Sequence, residues 1–167
     1  MSILFHFWSL PILFLLHDFE EIIVMPLWKK RKKFQNLKNQ NQYFGATTNG
    51  SAFSVGVLEE FIILLIVSAI CQLCHNQTLY LSFCIAYTFH FLIHYKMCYQ
   101  FKGYVPGVVT VTLQIPIMFL LISHYWQWNF KMLVYFVITM IIVYTNLYVM
   151  HQIMPKIQVA FERYMKG

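Results

Sequence analysis

Apolar residues run continuously along this chain instead of alternating with polar ones. A helix needs about 20 mostly apolar residues to cross the hydrocarbon core of a bilayer. Five stretches satisfy that length: roughly 3–28, 53–74, 78–98, 107–126 and 130–154. The first is interrupted by His17-Asp18-Phe19-Glu20-Glu21 yet stays apolar on both sides. Unbroken runs are the opposite of the alternating pattern of a membrane β-barrel, and no internal repeat is visible. The pattern predicts an all-α, polytopic membrane bundle of about five transmembrane helices, forming a single integral membrane domain over residues 1–167. The opening MSILFHFWSLPILFLL has the hydropathy of a signal peptide. It lacks a basic leading segment and a small-residue cleavage site, so it reads as a retained first helix.

Composition narrows the class. Hydrophobic residues make up 59% and charged residues 11%, against about 45–50% and about 25% in soluble domains. That excludes a disordered chain, a disulfide-stapled secreted mini-domain and a cytosolic enzyme. The net charge of +6 does not indicate nucleic acid, because the basic residues flank apolar runs and form no face. Lys29, Lys30, Arg31, Lys32, Lys33 and Lys38 follow the first span, Lys96 and Lys102 lie between the third and fourth, and Lys156, Arg163 and Lys166 follow the fifth. Only Lys131 falls on the other side. Positive residues collect on the cytoplasmic side, which places the N-terminus outside, the C-terminus in the cytoplasm and the protein in the cell membrane as a multi-pass protein. The Asn- and Gln-rich stretch at about 34–52 then reads as a polar cytoplasmic loop, with a short interfacial helix near Trp28–Leu37. The run WKKRKKF serves as a topology signal, with binding of anionic lipid as the alternative.

The chain has six acids, and five of them fall inside predicted spans: Asp18, Glu20 and Glu21 in the first, Glu59 and Glu60 in the second. His17 joins the first group, and the third span carries His90 and His94. With a rise of ~1.5 Å per residue, His17 to Glu21 lie ~12–18 Å from the basic stop at Lys29, and Glu59 and Glu60 lie ~10 Å inside the second span. The polar groups of three spans therefore share the cytoplasmic half of the bilayer, and the fourth brings Thr110 and Gln114 to similar depth. His17, Glu20 and Glu21 stand at helical spacing on one face, as do His90 and His94, whereas Glu59 and Glu60 diverge by ~100° so that only one joins the cluster. An ionised acid at the centre of a span costs ~2.5–3.5 kcal/mol on the insertion scale. No intramembrane Lys or Arg compensates these acids, which leaves protons, water or a metal ion.

Carboxylates with imidazoles suit Zn, Fe or Mn, and helix bundles hold such metals with inward Glu and Glu-x-x-His pairs. The candidate metal ligands are His17, Glu20, Glu21, His90 and His94. Glu21, Glu59 and Glu60 are the candidate catalytic carboxylates. A metal-free proton-coupled cluster and a purely structural polar network are the alternatives.

The string His17-Asp18-Phe19-Glu20-Glu21, followed by Pro26-Leu27-Trp28 and a basic run, resembles the small bacterial membrane protein family named for its HXXEE motif. Leu58-Glu59-Glu60, Phe89 to His94 and the turn Tyr104-Val105-Pro106-Gly107-Val108-Val109-Thr110 resemble later blocks of that family, so the likeness covers most of residues 10–120. The resemblance implies a multi-pass membrane protein and carries no established activity. In the turn, Pro106 suits a first helical turn and Gly107 permits close approach, so the segment reads as a plain tight inter-helix turn, with an anion at the positive end of the fourth span as the alternative.

Other signals are weaker. Cys71-x-x-Cys74 is a single pair and reads as packing more than redox or metal chemistry. Cys84 and Cys98 read as structural. The aromatic group from His124 to Trp128 suits a membrane interface. Tyr144, Tyr148 and His151 share a face of the last span, with His151 a candidate extra ligand. The functional expectation is a metal-dependent membrane enzyme, with a divalent ion (Zn, Fe or Mn) that activates water for hydrolysis of a lipid or other amphipathic substrate or, if iron, performs oxidation. The alternatives are a proton- or cation-coupled transporter or channel subunit, which with so few helices implies a homodimer, and a non-catalytic accessory membrane protein.

Overall fold

The computed structural model describes residues 3–167, and six helices and no strand occur among them. They are α1 Ser9–Lys29, α2 Lys32–Gln35, α3 Gly50–Cys74, α4 Gln77–Phe101, α5 Val108–Tyr125 and α6 Phe130–Lys166. A 3-10 turn at Ile3–Phe5 precedes α1, so the first predicted stretch is split just before Pro11, which falls in the opening turn of the helix where its missing N–H costs nothing. The other starts are written in the sequence. Asn49, Asn76 and Asn129 each accept a hydrogen bond from the first turn of α3, α4 and α6, the usual work of an asparagine cap. The last helix continues beyond Pro155, where sequence reading stops the span at 154. Its extension is anchored by Gln158, which accepts from the Thr48 N–H at 2.9 Å and donates to the Thr48 hydroxyl at 3.0 Å.

The five long helices close a ring in the order α1, α3, α6, α4, α5. Unlike a soluble bundle, this ring exposes broad apolar faces, and it buries a polar group within an otherwise apolar core. His17, Asp18, Glu21, Ser82, His94, Gln114 and Thr139 are buried inside, while Ile12, Leu16, Phe19, Ile23 and Leu27 form an exposed apolar stripe down α1. Helices α3, α5 and α6 are long and apolar enough to cross a membrane. Helix α1 falls below that standard because Asp18, Glu20 and Glu21 occupy its middle, and α4 is diluted by its hydroxyl, amide and imidazole side chains.

The Asn- and Gln-rich connection is less solvated than its composition suggests. The short α2 stands in for the predicted interfacial helix. Beyond it Tyr43 and Phe44 are buried, and Tyr43 packs with Trp28, Phe34 and Phe101. The indole N–H of Trp28 donates to the Tyr104 carbonyl at 2.7 Å. The ammonium of Lys29 is buried and donates to the carbonyls of Gly45 at 2.8 Å and Thr47 at 2.6 Å. One lysine of the basic run is thus an internal strut of the loop.

Candidate metal centre

Three helices deliver the site. From α1 come His17 and Glu21, one turn apart; from α4 come His90 and His94, also one turn apart. From the start of α5 come the backbone of Gly107 and the side chain of Thr110. One ligand atom from each of His17, Glu21, His90 and His94 lies within 4.8 Å of the others.

The protons can be placed from the partners. Nδ1 of His94 lies 3.1 Å from the carbonyl of Pro106, which only accepts, so Nδ1–H donates and Nε2 carries the lone pair. Nδ1 of His17 lies 3.0 Å from Thr110 Oγ1. That hydroxyl donates to Glu20 Oε2 at 2.7 Å, so its oxygen receives Nδ1–H of His17. The lone pair of His17 Nε2 is therefore also free. Both lone pairs converge on Glu21 Oε1, at 3.4 Å from His17 Nε2 and 3.0 Å from His94 Nε2. His90 Nε2 stands 2.9 Å from His94 Nε2. Neither His17 Nε2 nor Glu21 Oε1 has a hydrogen-bond donor, and both are buried.

Three acceptors facing one another repel unless a proton or a metal ion lies between them. The donor set fits one. Ligands held ~2.0–2.1 Å from a tetrahedral zinc stand roughly 3.3 Å apart, close to the 2.9 Å, 3.0 Å and 3.4 Å found here. Imidazoles whose far nitrogens donate to a carbonyl or hydroxyl are the ordinary outer support of a metal site. Gly107 closes the wall. A Cβ there would come within 2.5 Å of His94 Cε1, 2.7 Å of Glu21 Oε1 and 2.8 Å of His17 Cε1, and its φ of +89° favours glycine independently.

Glu20, expected among the ligands, lies outside this group. Its Oε1 accepts from the Tyr104 hydroxyl at 2.7 Å, and Oε2 accepts from the Thr110 N–H at 2.8 Å and the Thr110 hydroxyl. Helix α5 has no side-chain cap from its own preceding residue, so Glu20 serves as its anionic N-terminal partner. Burial and the adjacent Glu20 carboxylate hold the Tyr104 hydroxyl well above the usual phenol range, so it stays a donor.

The two adjacent glutamates of α3 separate as their spacing requires. Glu59 accepts from Asn146 of α6 at 3.0 Å, whereas Glu60 lines a cavity with Asp18, Glu21, His90, His94 and His151. This cavity of about 170 Å³ lies between α1, α3, α4 and α6, and its remaining wall is mostly apolar and aromatic apart from Gln42 and Asn146, with Phe44 closing it from the loop. His151 faces the cavity, but Tyr144 and Tyr148 are exposed and do not line it. Cys71 and Cys74 are both free thiols far from this set in sequence, and neither lines the cavity. Sequence reasoning missed Tyr104 and Phe44 as parts of the site. The Tyr-x-Pro-Gly turn was the available signal for the first; nothing local marks the second.

The family described as a protein of unknown function with an HXXEE motif matches residues 8–121. That stretch contains every residue of the four-member group together with Glu20, Gly107 and Thr110. No curated protein and no solved structure matches the chain.

Proposed function

This chain belongs to the HXXEE-motif family, and from that premise we propose that it is a metal-dependent integral membrane enzyme, hydrolase-like, acting on a lipid or other amphipathic substrate. The observation that carries the reading is the convergence of His17 Nε2, His94 Nε2 and Glu21 Oε1, three buried acceptors with their tautomers fixed from behind. His17, Glu21, His90 and His94 hold the ion, and when bound it supplies Lewis acidity for hydrolysis. Glu60 takes the substrate-facing role, because it alone of the α3 pair lines the cavity. Glu59 ties α3 to α6 through Asn146. Glu20 positions the α5 turn that holds Thr110 against His17.

The same reading has five crossings. The exposed stripe Ile12, Leu16, Phe19, Ile23 and Leu27 supports α1 as a span despite its acids, since each acid is turned inward or engaged by α5. Leu92, at 61% exposure, supports the same for α4.

Metal analysis of the detergent-purified protein is the test. About one equivalent of a divalent transition metal is expected, lost in His17→Ala and in His94→Ala. Absence of metal from the wild type, together with unchanged thermal stability in both variants, would overturn the proposal.

A further inference from the structure

The cavity beside the centre carries two carboxylates that the centre does not use. Asp18 is 6% exposed, and its Oδ2 is buried with no hydrogen-bond partner. Glu60 lines the same cavity from α3. Neither is paired with a lysine or arginine among the described residues. The cavity lining contains no lysine or arginine at all; its basic groups are the imidazoles of His90, His94 and His151. Lys29 lies nearby on α1, but its ammonium is committed to the Gly45 and Thr47 carbonyls. The rest of the wall is mostly apolar, including Phe14, Phe53, Phe83 and Tyr87, with Gln42 and Asn146 as uncharged polar members, and it reaches Ile142 of α6, which is 50% exposed on the outer surface of the ring.

We infer that this cavity binds an amphiphile whose head is a protonated amine, with the ammonium between Asp18 and Glu60 and the alkyl chain along the aromatic wall toward Ile142. Two buried acids without a cation need one. An ammonium supplies it together with hydrogen bonds to both carboxylates, and the neighbouring aromatic faces add cation–π attraction. A second metal ion would satisfy the acids but leave the apolar length and its outlet at Ile142 without a role. An alcohol head leaves the charge uncompensated, and an anionic head worsens it. The inference rests on the reading of the cavity as an amphiphile site and not on the presence of metal.

The test compares dodecylamine, dodecanol and dodecanoate as ligands of chelator-stripped protein in maltoside micelles, by thermal shift and by fluorescence titration. Dodecylamine is expected to bind about ten- to a hundredfold more tightly than dodecanol, the scale of charge-assisted hydrogen bonds, with dodecanoate weakest. The double variant Asp18→Asn, Glu60→Gln should bind amine and alcohol alike while keeping the wild-type metal content; Asp18→Asn alone should lower the preference part-way. Ile142→Trp, at the outlet, should weaken amine and alcohol together. Equal affinity for amine and alcohol in the wild type, or an amine preference that survives the double variant, would sink the inference. An amine preference in a chain that binds no metal supports it, and overturns the metal centre instead.

Discussion

Thr110 links the candidate centre to the start of α5. Its hydroxyl receives His17, donates to Glu20 and also reaches the Gly107 carbonyl, and its N–H meets Glu20 as well. Thr110→Val, which keeps the shape and removes the hydroxyl, should therefore weaken metal affinity by about 10- to 100-fold, the effect of losing an outer-shell partner. A competition titration with a chromophoric chelator reads that change. Glu20→Gln and Glu20→Ala separate capping from ligation. Either substitution should cost about 0.5–2 kcal/mol of stability, alanine more than glutamine, with metal stoichiometry retained; loss of the metal in Glu20→Gln would make Glu20 a ligand. Gly107→Ala is the severe case. Its Cβ would overlap atoms of three site residues at a backbone angle alanine avoids, so a loss of about 2 kcal/mol or more is expected, along with metal binding, by thermal unfolding of the wild type and the variant in parallel.

At the scale of elements, the loop between α2 and α3 is held by buried aromatic side chains and a few hydrogen bonds. Lys29 supplies two of them. Lys29→Met keeps the length of the side chain and leaves two carbonyls without a donor, at a cost of about 1–3 kcal/mol. Limited proteolysis should then cut residues 36–49 faster, with the helices intact. Most of the helical layout is legible in the sequence, because apolar runs and asparagine caps are local signals. Gln158 explains why the last helix outruns its apolar segment, and that anchor sits 110 positions from its partner Thr48. The inner lining by Phe44 is illegible for the same reason. A phenylalanine in an Asn- and Gln-rich stretch carries no sign of which buried group it will cover. The pairing of His17 with Glu21, and of His90 with His94, follows directly from helical spacing. The diversion of Glu20 does not, since the residue that engages it lies 90 positions away.

At the scale of the molecule, the ring exposes broad apolar faces and turns its intramembrane acids and imidazoles inward, the arrangement a lipid solvent favours. The basic residues Lys29, Arg31 and Lys33 of the α1–α2 end and Lys102 after α4 lie at one end of that ring, where Lys33 donates to the Lys102 carbonyl. Trp126 and Trp128, exposed and stacked between α5 and α6, lie at the other. The five proposed crossings, with this charge bias, would place the two ends in different compartments. In a cysteine-free background, Lys38→Cys should react with an impermeant maleimide only after the membrane is opened, and Trp128→Cys in intact cells. Labelling of both from the same side would exclude an odd number of crossings.

The cap of α5 also constrains the order of assembly. Glu20 is made 90 residues before the N–H it will accept from Thr110. During that interval the first segment carries three acids with neither α4 nor α5 beside it, and its own apolar side chains only marginally favour entry into lipid. If α1 crosses the membrane as proposed, the stretch of synthesis between them is expected to be a waiting period, with the first helix held at the membrane surface until the turn is made. It settles when the Tyr104–Thr110 turn arrives. In a cysteine-free background, Ile12→Cys should react with a maleimide from the cytoplasmic side in a chain cut off before residue 110, and be protected in one extended past the turn.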